Sequence, residues 1–391
     1  MTDFTKKLLI YVSDKDLKPT GGAAGYNYNL NRGLQIIGAK NYEYLSGVDN
    51  TRNRIKSLKE SRFKRILFVF LRMCNYYQLL HKRHSYAKVN LNEYDVVHFH
   101  NVKDMYEARS SLVLFKGIVV LTSHSPKPFS MEIYEDIISD FERGFLGKMY
   151  KKLIIMEKYA FSRADILVFP CEEAEEPYYL KWKDYQKVHN NNKSKYRYIL
   201  TGTTECKVKI DRVRYREKYE IPTNALVISY VGRHNVTKGY DQLIEIGKRA
   251  LINDNTYIIV AGKQGPLNAP KLSKWIEIGW TNDPHSLINA SDIFVLPNKE
   301  TYFDLVMLEV LSLGKIVVAS ATGGNKFFEK INTGGIFLYS SIEEAISIID
   351  ELRLMDSAKR EELETKNKLI FEKYFSEVVF AEKYIELINS L

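Results

Sequence analysis

Short apolar runs recur along the chain, and each is followed by a turn and then by a helical stretch. The runs are nearly continuous in apolar residues, which is typical of parallel strands buried on both faces. Two successive sets of such units predict an α/β protein with two doubly wound parallel sheets. The predicted strands are residues 7–12, 95–100, 117–122, 165–169 and 196–200, and then 225–231, 256–261, 275–278, 292–296, 316–319 and 335–339.

The length of the chain agrees with this division. At 391 residues the chain exceeds one ordinary core and suits two domains of about 150–200 residues each. A turn cluster at 201–204, followed by a charged stretch, predicts domains at 1–204 and 205–374. A helix is expected at about 376–390, and its apolar stripe needs another surface to cover.

The composition is that of a soluble globular protein, with 45% apolar and 27% charged residues. The apolar runs Leu8–Val12 and Ile66–Leu71 are too short for a signal-peptide core or for the roughly 20 residues of a membrane span. Cys74, Cys171 and Cys206 lie far apart in the sequence, with no paired spacing for a metal or a disulfide framework. These features lead us to expect a reducing, cytoplasmic location.

The strongest candidate site lies between a predicted strand and a predicted helix. The strand Ile293–Leu296 is followed by a loop, and the helix begins near Leu305 with Asp304 as its N-cap and Gly314 as its C-terminal stop. The unpaired amides at the start of this helix would face the end of the sheet. A diphosphate binds readily there, because the helix dipole and the free donors both favour an anion.

Glu309 lies inside the same predicted helix, with only apolar residues elsewhere in 305–311. A carboxylate in such surroundings is costly to bury unless it has hydrogen-bond partners, and the ribose hydroxyls of a bound nucleotide would supply them. The alternative is a charge at the one solvated position of the helix.

A second candidate is the loop Gly232–Gly239, which follows the strand Leu226–Val231. Arg233 offers a planar fork and Lys238 a mobile point charge, and the two together suit a diphosphate. Ligands collect at the carboxyl edge of open α/β sheets, where this loop is expected. The loop lacks the Walker pattern, and two solvated loop cations are the alternative.

Glycines follow two further strands. Gly262 lies in the loop after the strand 256–261, where it would form one wall of a nucleotide pocket. Gly21–Gly25 is a small-residue loop that opens a helix near Tyr26 and permits close approach of a ligand. It lacks a full G-x-G-x-x-G pattern and the acidic residue of a dinucleotide site, so a dehydrogenase is disfavoured.

Three histidines lie at the ends of predicted strands. His98 and His100 end one strand, and His124 follows another. The ends of parallel strands meet at the edge of the sheet where ligands bind, so all three are candidates for a cleft. A structural role is the alternative for His98 and His100.

Taken in order, these motifs make the chain resemble the retaining glycosyltransferases of glycosyltransferase family 4, which have the GT-B fold. The resemblance covers nearly the whole chain and is strongest over 225–325. The loop Gly21–Gly25, His124, the G-R-x(4)-K-G loop Gly232–Gly239 and the small-residue loop Ala321–Gly324 match family motifs.

The family's E-x(7)-E motif is only half present. Glu309 matches the second Glu, but the first falls on Thr301, with Glu300 one residue earlier. In the family the first Glu contacts hydroxyls of the donor sugar, so Thr301 bears on the identity of that sugar more than on the class of reaction.

The resemblance implies two Rossmann-like domains that face each other across a cleft. Residues 1–204 would bind the acceptor, 205–374 the nucleotide sugar, and the helix at 375–391 would cross back onto the first domain. His124, Arg233 and Lys238 would be the catalytic residues. The implied donor-binding residues are Gly22, Gly232, Arg233, Lys238, Gly262, Thr301, Tyr302, Phe303, Asp304, Leu305 and Glu309. The implied acceptor-side residues are Gly21, Gly25, His98 and His100.

The reaction that the resemblance implies is transfer of a sugar from a nucleotide-diphosphate sugar, with UDP favoured, and with retention of configuration. The acceptor would be a glycan, a lipid-linked molecule or a protein, and the process the synthesis of a cell-surface polysaccharide or glycoconjugate. Cations and helix dipoles would stabilise the leaving diphosphate without a metal or a cofactor. The alternatives are an inactive GT-B binding or chaperone subunit, an inverting enzyme with a general base, and a GT-B epimerase or phosphorylase.

The charge of the chain is concentrated in one segment. Residues 51–90 hold eleven Lys or Arg against the single acid Glu60, whereas the net charge of the whole chain is +9. The segment mixes these cations with apolar residues, which suits the surface of an anionic membrane that carries a lipid-linked acceptor. An anionic acceptor, or a solvated face over ordinary core, is the alternative. Nucleic acid is disfavoured, because no recognised binding module accompanies the charge.

Overall fold

The computed structural model describes residues 3–12, 17–19, 22–46, 84–125, 127–137, 140–331 and 334–391, together with 67, 70, 71, 74, 77, 78 and 81. The chain forms two compact units. The first unit comprises Met1–Phe169, Tyr178–Ile199 and Ala381–Leu391, and the second comprises Pro170–Pro177 and Leu200–Phe380.

Each unit is built on a parallel sheet, and each sheet has six strands in the described residues. The first sheet has the order β2-β1-β3-β4-β5-β6 and the second β12-β11-β10-β7-β8-β9. The prediction of two doubly wound parallel sheets is confirmed. In chain order the strands are β1 Leu8–Val12, β2 Tyr42–Ser46, β3 Val96–Phe99, β4 Ile118–Thr122, β5 Ile166–Phe169, β6 Tyr196–Tyr198, β7 Leu226–Val231, β8 Thr256–Ala261, β9 Trp275–Gly279, β10 Ile293–Leu296, β11 Ile316–Ser320 and β12 Ile336–Tyr339.

The helices lie between the strands. In chain order they are α1 Ala23–Ile36, α2 Val102–Glu107, α3 Arg109–Leu114, α4 Phe129–Met131, α5 Asp140–Arg163, α6 Glu176–Lys181, α7 Tyr185–Asn191, α8 Arg212–Lys218, α9 Tyr240–Ala250, α10 Pro284–Ala290, α11 Leu305–Ser312, α12 Ile342–Leu354, α13 Ser357–Ile370 and α14 Glu377–Ser390. Among the described residues, none of these helices has the length and apolar character needed to cross a bilayer.

Strand β2 was not predicted from the sequence. Its residues Tyr42–Ser46 (YEYLS) mix aromatic, polar and apolar side chains, and β2 is an edge strand paired only with β1 among the described strands. The search for continuous apolar runs finds strands that are buried on both faces, so it missed a half-exposed strand at the edge.

The apolar strands of the second sheet supply two cores at once. Val227, Ile259 and Phe294 pack into one buried cluster, whereas their neighbours Ile228 and Ile258 pack into another. Successive side chains of a strand point to opposite faces, so a sheet covered on both sides favours apolar residues at nearly every position. This requirement explains the unbroken apolar runs of the sequence.

The units differ from the predicted domain ranges at 170–177, 200–204 and 375–380, all of which belong to the second unit. After β5 the segment Pro170–Pro177 packs within the second unit, where Glu176 accepts a hydrogen bond from the amide of Gly323 at 3.2 Å and pairs with Lys326 at 2.6 Å. Glu173 forms an ion pair with Lys330. These contacts between residues distant in sequence are invisible to an analysis of local patterns.

The last helix begins in the second unit and ends in the first. The hydroxyl of Tyr384 on α14 lies 2.7 Å from Nδ1 of His98, and its ring meets Phe4 edge-on at 6.0 Å. Asn389 accepts a hydrogen bond from the amide of Thr5 at 2.8 Å. The apolar stripe of this helix is thereby covered by the first unit from Ala381 onward.

We expect substitutions of two glycines with similar backbone angles to separate steric overlap from backbone strain. Gly239 has φ +64°, and a Cβ there would lie 1.5 Å from the carbonyl oxygen of Pro297; Gly279 has φ +73° and open space around that position. Gly279→Ala should lower the free energy of unfolding by about 1–2 kcal/mol, because an L-residue is strained in the left-handed conformation. Gly239→Ala should cost at least about 2 kcal/mol more, because backbone must move.

Urea denaturation followed by circular dichroism gives both values. Equal losses in the two variants would contradict the close approach of Gly239 to Pro297.

Candidate functional site

The two loops with the most candidate residues lie side by side at the carboxyl edge of the second sheet. They follow β7 and β10, which are neighbours in that sheet. The amide of Lys299 donates to the carbonyl of Thr237 at 3.0 Å, and Gly239 packs directly against Pro297. The order of the strands thus brings together two loops that are about 60 residues apart in sequence.

Gly262 lies on the other side of the first loop. Its φ is +150°, and a Cβ there would lie 1.8 Å from the carbonyl oxygen of Gly232. The amide of Gly232 donates to Ala261 at 3.0 Å, and that of His234 donates to Lys263 at 3.2 Å. A residue with a side chain would push the two loops apart, so glycine at 262 holds this wall close to the strand end.

Lys238 and Asp304 form the central ion pair of the site. Asp304 is the N-cap residue of α11, as the sequence predicted, and its carboxylate also accepts a hydrogen bond from Asn298 Nδ2 at 2.7 Å. Burial raises the pKa of the Asp304 carboxyl, but Lys238 and Asn298 outweigh burial and hold that pKa below its usual value. The carboxylate therefore stays charged and fixes the ammonium group at the helix tip.

Asn298 was not among the predicted site residues. It is buried, and its amide nitrogen also donates to the Thr301 hydroxyl at 3.0 Å. It thus joins the loop to the start of the helix. Its position directly after the strand 293–296 and Pro297 was the signal that could have identified it.

Arg233 occupies a more open position than Lys238. Its side chain is exposed, while its carbonyl accepts a hydrogen bond from the Tyr230 hydroxyl at 3.0 Å. Within the described part of the chain, no ion pair engages its guanidinium. The backbone at Arg233 is held, and the planar fork is left for a ligand.

Glu309 lies one turn into α11, with 28% of its side chain exposed. Nε2 of His285 lies 3.9 Å from its carboxylate, and burial lowers the pKa of His285, so this ring is mainly neutral at pH 7. Burial, and secondarily the charge of Asp304, raises the pKa of Glu309 to about 7. Asp304 thus pairs with Lys238 and is close enough to Glu309 to affect its pKa, while a single pocket for these residues stays a prediction.

The remaining predicted residues at the helix tip face different surroundings. Thr301 is buried and its carbonyl accepts from the amide of Gly324 at 3.3 Å. The ring of Phe303 packs in the core against Phe328, with 5.8 Å between ring centroids. Tyr302 and Leu305 are half-buried. At Phe303 only the backbone can meet a ligand.

Trp280 is a further residue that the sequence analysis missed. It follows β9, and 76% of its side chain is exposed. The preceding residue, Gly279, accepts a hydrogen bond from the amide of Gly262 at 2.9 Å. A large, exposed indole therefore lies beside the loop wall formed by Gly262. The periodicity of an edge strand gives no hint of such exposure.

The predicted histidines lie together in the first unit. Nδ1 of His100 and Nε2 of His124 are 2.9 Å apart, and their rings are stacked at 5.2 Å. The ring of Tyr26 on α1 lies 4.5 Å from that of His124. Burial lowers the pKa of His124 to about 3 and that of His100 well below its usual value, so both rings are neutral at pH 7.

His98 has a different environment from the other two. It is fully buried, and its second nitrogen lies 2.8 Å from the Thr122 hydroxyl, opposite the nitrogen that meets Tyr384. Burial, and secondarily His124, lowers its pKa to about 3. Both ring nitrogens are satisfied by protein groups, which favours the structural alternative for this residue.

The predicted glycines of the first loop are also in the first unit. Gly22 is the exposed N-cap of α1 with φ +77°, and Gly25 is buried within that helix. Gly22 is thus part of the first unit, whereas the other predicted donor-binding residues are part of the second. Gly21 lies outside the described residues, as does most of the cation-rich segment 51–90.

Among the described residues, no group of three or more His, Cys, Asp or Glu could hold a metal ion.

Comparison with known proteins gives three results. The profile of the family "Glycosyl transferases group 1" matches residues 225–353, a range that includes the loops after β7, β8 and β10. The lipopolysaccharide core biosynthesis glycosyltransferase LpsE of Rhizobium meliloti is 25% identical over 54% of this chain and 60% of its own length. The chain spans about half to three fifths of the length of several curated relatives that it matches.

The third result concerns solved structures. Anabaena HepE in complex with UDP and glucose has a TM-score of 0.62 at 15% identity, covering 99% of this chain and 100% of that one. Sucrose-phosphate synthase from Thermosynechococcus elongatus has a TM-score of 0.66 at 15% identity, covering 98% of each chain. The chain has the α/β GT-B fold of these proteins.

The raised pKa of Glu309 predicts how stability depends on pH. The folded state binds the Glu309 proton more tightly than the unfolded state, whose carboxyl titrates near 4.5. Stability from this group is therefore lost as the pH rises from about 4.5 to 7. As the pH rises from 5 to 8, the free energy of unfolding of Glu309→Gln should increase by about 1–3 kcal/mol relative to that of the parent protein.

Urea denaturation at a series of pH values measures this difference, with the exposed Glu351→Gln as the control that should show none. If the difference in stability between Glu309→Gln and the parent did not change with pH, this result would contradict the raised pKa of the Glu309 carboxyl.

Proposed function

We propose that the protein is a glycosyltransferase that moves a sugar from a nucleoside-diphosphate sugar. The observation that carries the proposal is the pairing of Lys238 with Asp304 at the first turn of α11, with Arg233 on the same loop. Two cations and a helix N-terminus at one sheet edge are complementary to a diphosphate. The match of residues 225–353 to the glycosyltransferase profile supports the same reaction class.

Catalysis would come from stabilising the leaving diphosphate. As the bond from the anomeric carbon to the phosphate oxygen breaks, negative charge accumulates on the diphosphate. Lys238 has three N–H donors, so it can keep its bond to Asp304 and donate to a phosphate oxygen as well. Because Asp304 holds the ammonium in place beforehand, and Asn298 holds the Asp304 carboxylate, little reorganisation is required during the reaction.

The nucleoside would occupy the rest of the carboxyl edge. Glu309, with its pKa of about 7, can both donate to and accept from ribose hydroxyls near neutral pH. The exposed indole of Trp280 offers a flat apolar surface on which a base can stack. Phosphate, ribose and base would thus each have a candidate partner in the second unit.

The finer details rest on resemblance and on relatives. The complex of HepE with UDP and glucose supports UDP as the nucleotide, and LpsE supports a glycan or lipid-linked acceptor in cell-surface polysaccharide synthesis. Retention of configuration, independence of metal and a place for His124 beside the reacting sugar follow from the resemblance to family 4. A protein acceptor stays an alternative.

An inactive binding subunit is the second candidate function. Thr301 favours it, because the residue at the family's first Glu is here buried and bonded to Asn298 instead of facing a sugar. The intact pair of Lys238 and Asp304, with Arg233 exposed, favours an active enzyme. Binding of UDP without turnover of any UDP-, GDP- or dTDP-sugar would support the inactive subunit.

Removing the two cations tests the diphosphate assignment. We expect Arg233→Ala with Lys238→Ala to weaken UDP binding, measured by calorimetry, at least about 50-fold, because two charge-assisted interactions are lost. Nucleotide release from the donor sugar should fall at least as far.

The matched control is Lys248→Ala with Lys271→Ala, which removes two exposed cations elsewhere in the second unit. Unchanged UDP affinity in the Arg233/Lys238 variant would remove the diphosphate assignment, and circular dichroism shows whether each variant remains folded.

We also propose that the segment 51–90 places the protein on an anionic membrane surface, so that the enzyme is peripheral on the cytoplasmic face. The described side chains of this segment include Leu67, Phe70, Leu71 and Tyr77, which are exposed by 40%, 61%, 38% and 60%. Their spacing of three, four and seven residues is that of one helix face. An exposed apolar stripe among eleven cations suits insertion at an anionic interface.

Sedimentation with vesicles tests this surface. Phe70→Glu with Leu71→Glu should lower the bound fraction on vesicles of phosphatidylglycerol and phosphatidylcholine at least about tenfold, because two buried apolar contacts are lost and two like charges are gained. The control is Val113→Glu with Leu114→Glu on α3, whose side chains are 79% and 72% exposed. Equal losses in both variants, or binding to neutral vesicles alone, would contradict the proposal.

A further inference from the structure

A recess lies at the amino edge of the second sheet, where β7 and β8 begin. It encloses about 270 Å³. The candidate donor site is at the opposite end of the same strands, since β7 runs from Leu226 at the recess to Val231 before the cationic loop. The recess is lined by Asn224, Ala225, Leu226, Asn253, Asn255, Arg353 and Arg360.

Arg353, at the end of α12, makes one ion pair and two long contacts. One terminal nitrogen pairs with Asp350, and the other lies 3.4 Å from the carbonyl of Ala250 and 3.5 Å from the Thr256 hydroxyl. Its Nε is buried without an acceptor among the described residues. The guanidinium therefore has donor capacity that the protein does not use.

Arg360 on α13 faces the same recess from the other helix. One of its terminal nitrogens donates to the carbonyls of Leu352 at 2.8 Å and Arg353 at 3.0 Å. Its Nε is likewise buried with no acceptor in the described part of the chain. Asp350 is the only carboxylate that forms an ion pair with either arginine among the described residues, so the recess carries a net positive charge.

The asparagines give the recess a firm polar rim. The side-chain amide of Asn255 donates to the carbonyl of Asn224 at 2.8 Å, and the backbone amide of Asn255 donates to the side chain of Asn253 at 3.1 Å. The side chains of Asn224 and Asn253 are exposed. Amide groups of this kind both donate to and accept from hydroxyl groups.

We propose that this recess binds a small phosphate monoester that also carries hydroxyl groups, such as a sugar phosphate. Two guanidinium groups on one wall suit a phosphate dianion, because each offers a planar set of donors. The asparagine rim suits the hydroxyls. On the measure by which one water molecule requires roughly 10–15 Å³, the recess has about 270 Å³, so it has room for more than one water molecule.

Calorimetry with glucose 6-phosphate, inorganic phosphate and glucose tests the assignment. The full chain with Arg233→Ala and Lys238→Ala serves as the parent, so that the other cationic site does not contribute and the result does not depend on the proposed activity. We expect saturable binding of glucose 6-phosphate with one equivalent, tighter than inorganic phosphate, and no measurable binding of glucose.

Two kinds of variant locate the site. Arg353→Gln with Arg360→Gln should weaken the binding of glucose 6-phosphate at least about tenfold. Because these arginines also hold the ends of helices, Asn224→Asp with Asn253→Asp provides a second test at exposed positions, where added negative charge should abolish binding without affecting the helix contacts. Lys248→Gln with Lys271→Gln is the control for loss of positive charge.

Absence of saturable binding to the parent would overturn the proposal. So would an affinity in the aspartate variant equal to that of the parent. Tighter binding of inorganic phosphate than of glucose 6-phosphate would overturn the role assigned to the asparagine rim.

Discussion

The ion pair between Lys238 and Asp304 is the interaction on which the candidate site depends. Asp304 is the N-cap residue of α11, so its carboxylate fixes the cation at the positive end of that helix. Asn298 donates to the same carboxylate and to Thr301, which ties the loop after β10 to the helix start. A charge in this partly buried position needs a partner, and the partner here also orients it. The cation is thus ready for an anion before any ligand arrives.

The close packing of the loops follows from glycine at two positions. Gly239 touches the backbone at Pro297, and Gly262 touches the backbone at Gly232. Because neither position has a Cβ, three strand ends come within contact distance and their loops form one continuous edge. Arg233 and Lys238 supply the positive charge at this edge, and the two glycines allow the loops to lie close together. A diphosphate site would require both features.

The first unit combines structural and candidate functional histidines in one cluster. The hydroxyl of Tyr384, from the last helix, forms a hydrogen bond with one ring nitrogen of His98, and the Thr122 hydroxyl forms one with the other. His100 and His124 pair with each other beside Tyr26. The neutral state of all three rings follows from burial, so any contribution of His124 to catalysis is that of a neutral ring or of its backbone.

The sequence by itself determined the α/β class, because strands covered on both faces are nearly continuous in apolar residues. Eleven predicted strands are present, and among the described strands only the edge strand 42–46 was missed. It also located Asp304 at the N-cap position, because local residue types favour helix starts, although the carboxylate there binds Lys238 and Asn298 and, among the described residues, makes no capping hydrogen bond. Only the tertiary structure decided that Lys238 pairs with Asp304, that Tyr384 meets His98 and that Trp280 is exposed. The strand order brings Lys238 to Asp304, and the return of the last helix brings Tyr384 to His98, across long separations in sequence that no local pattern encodes.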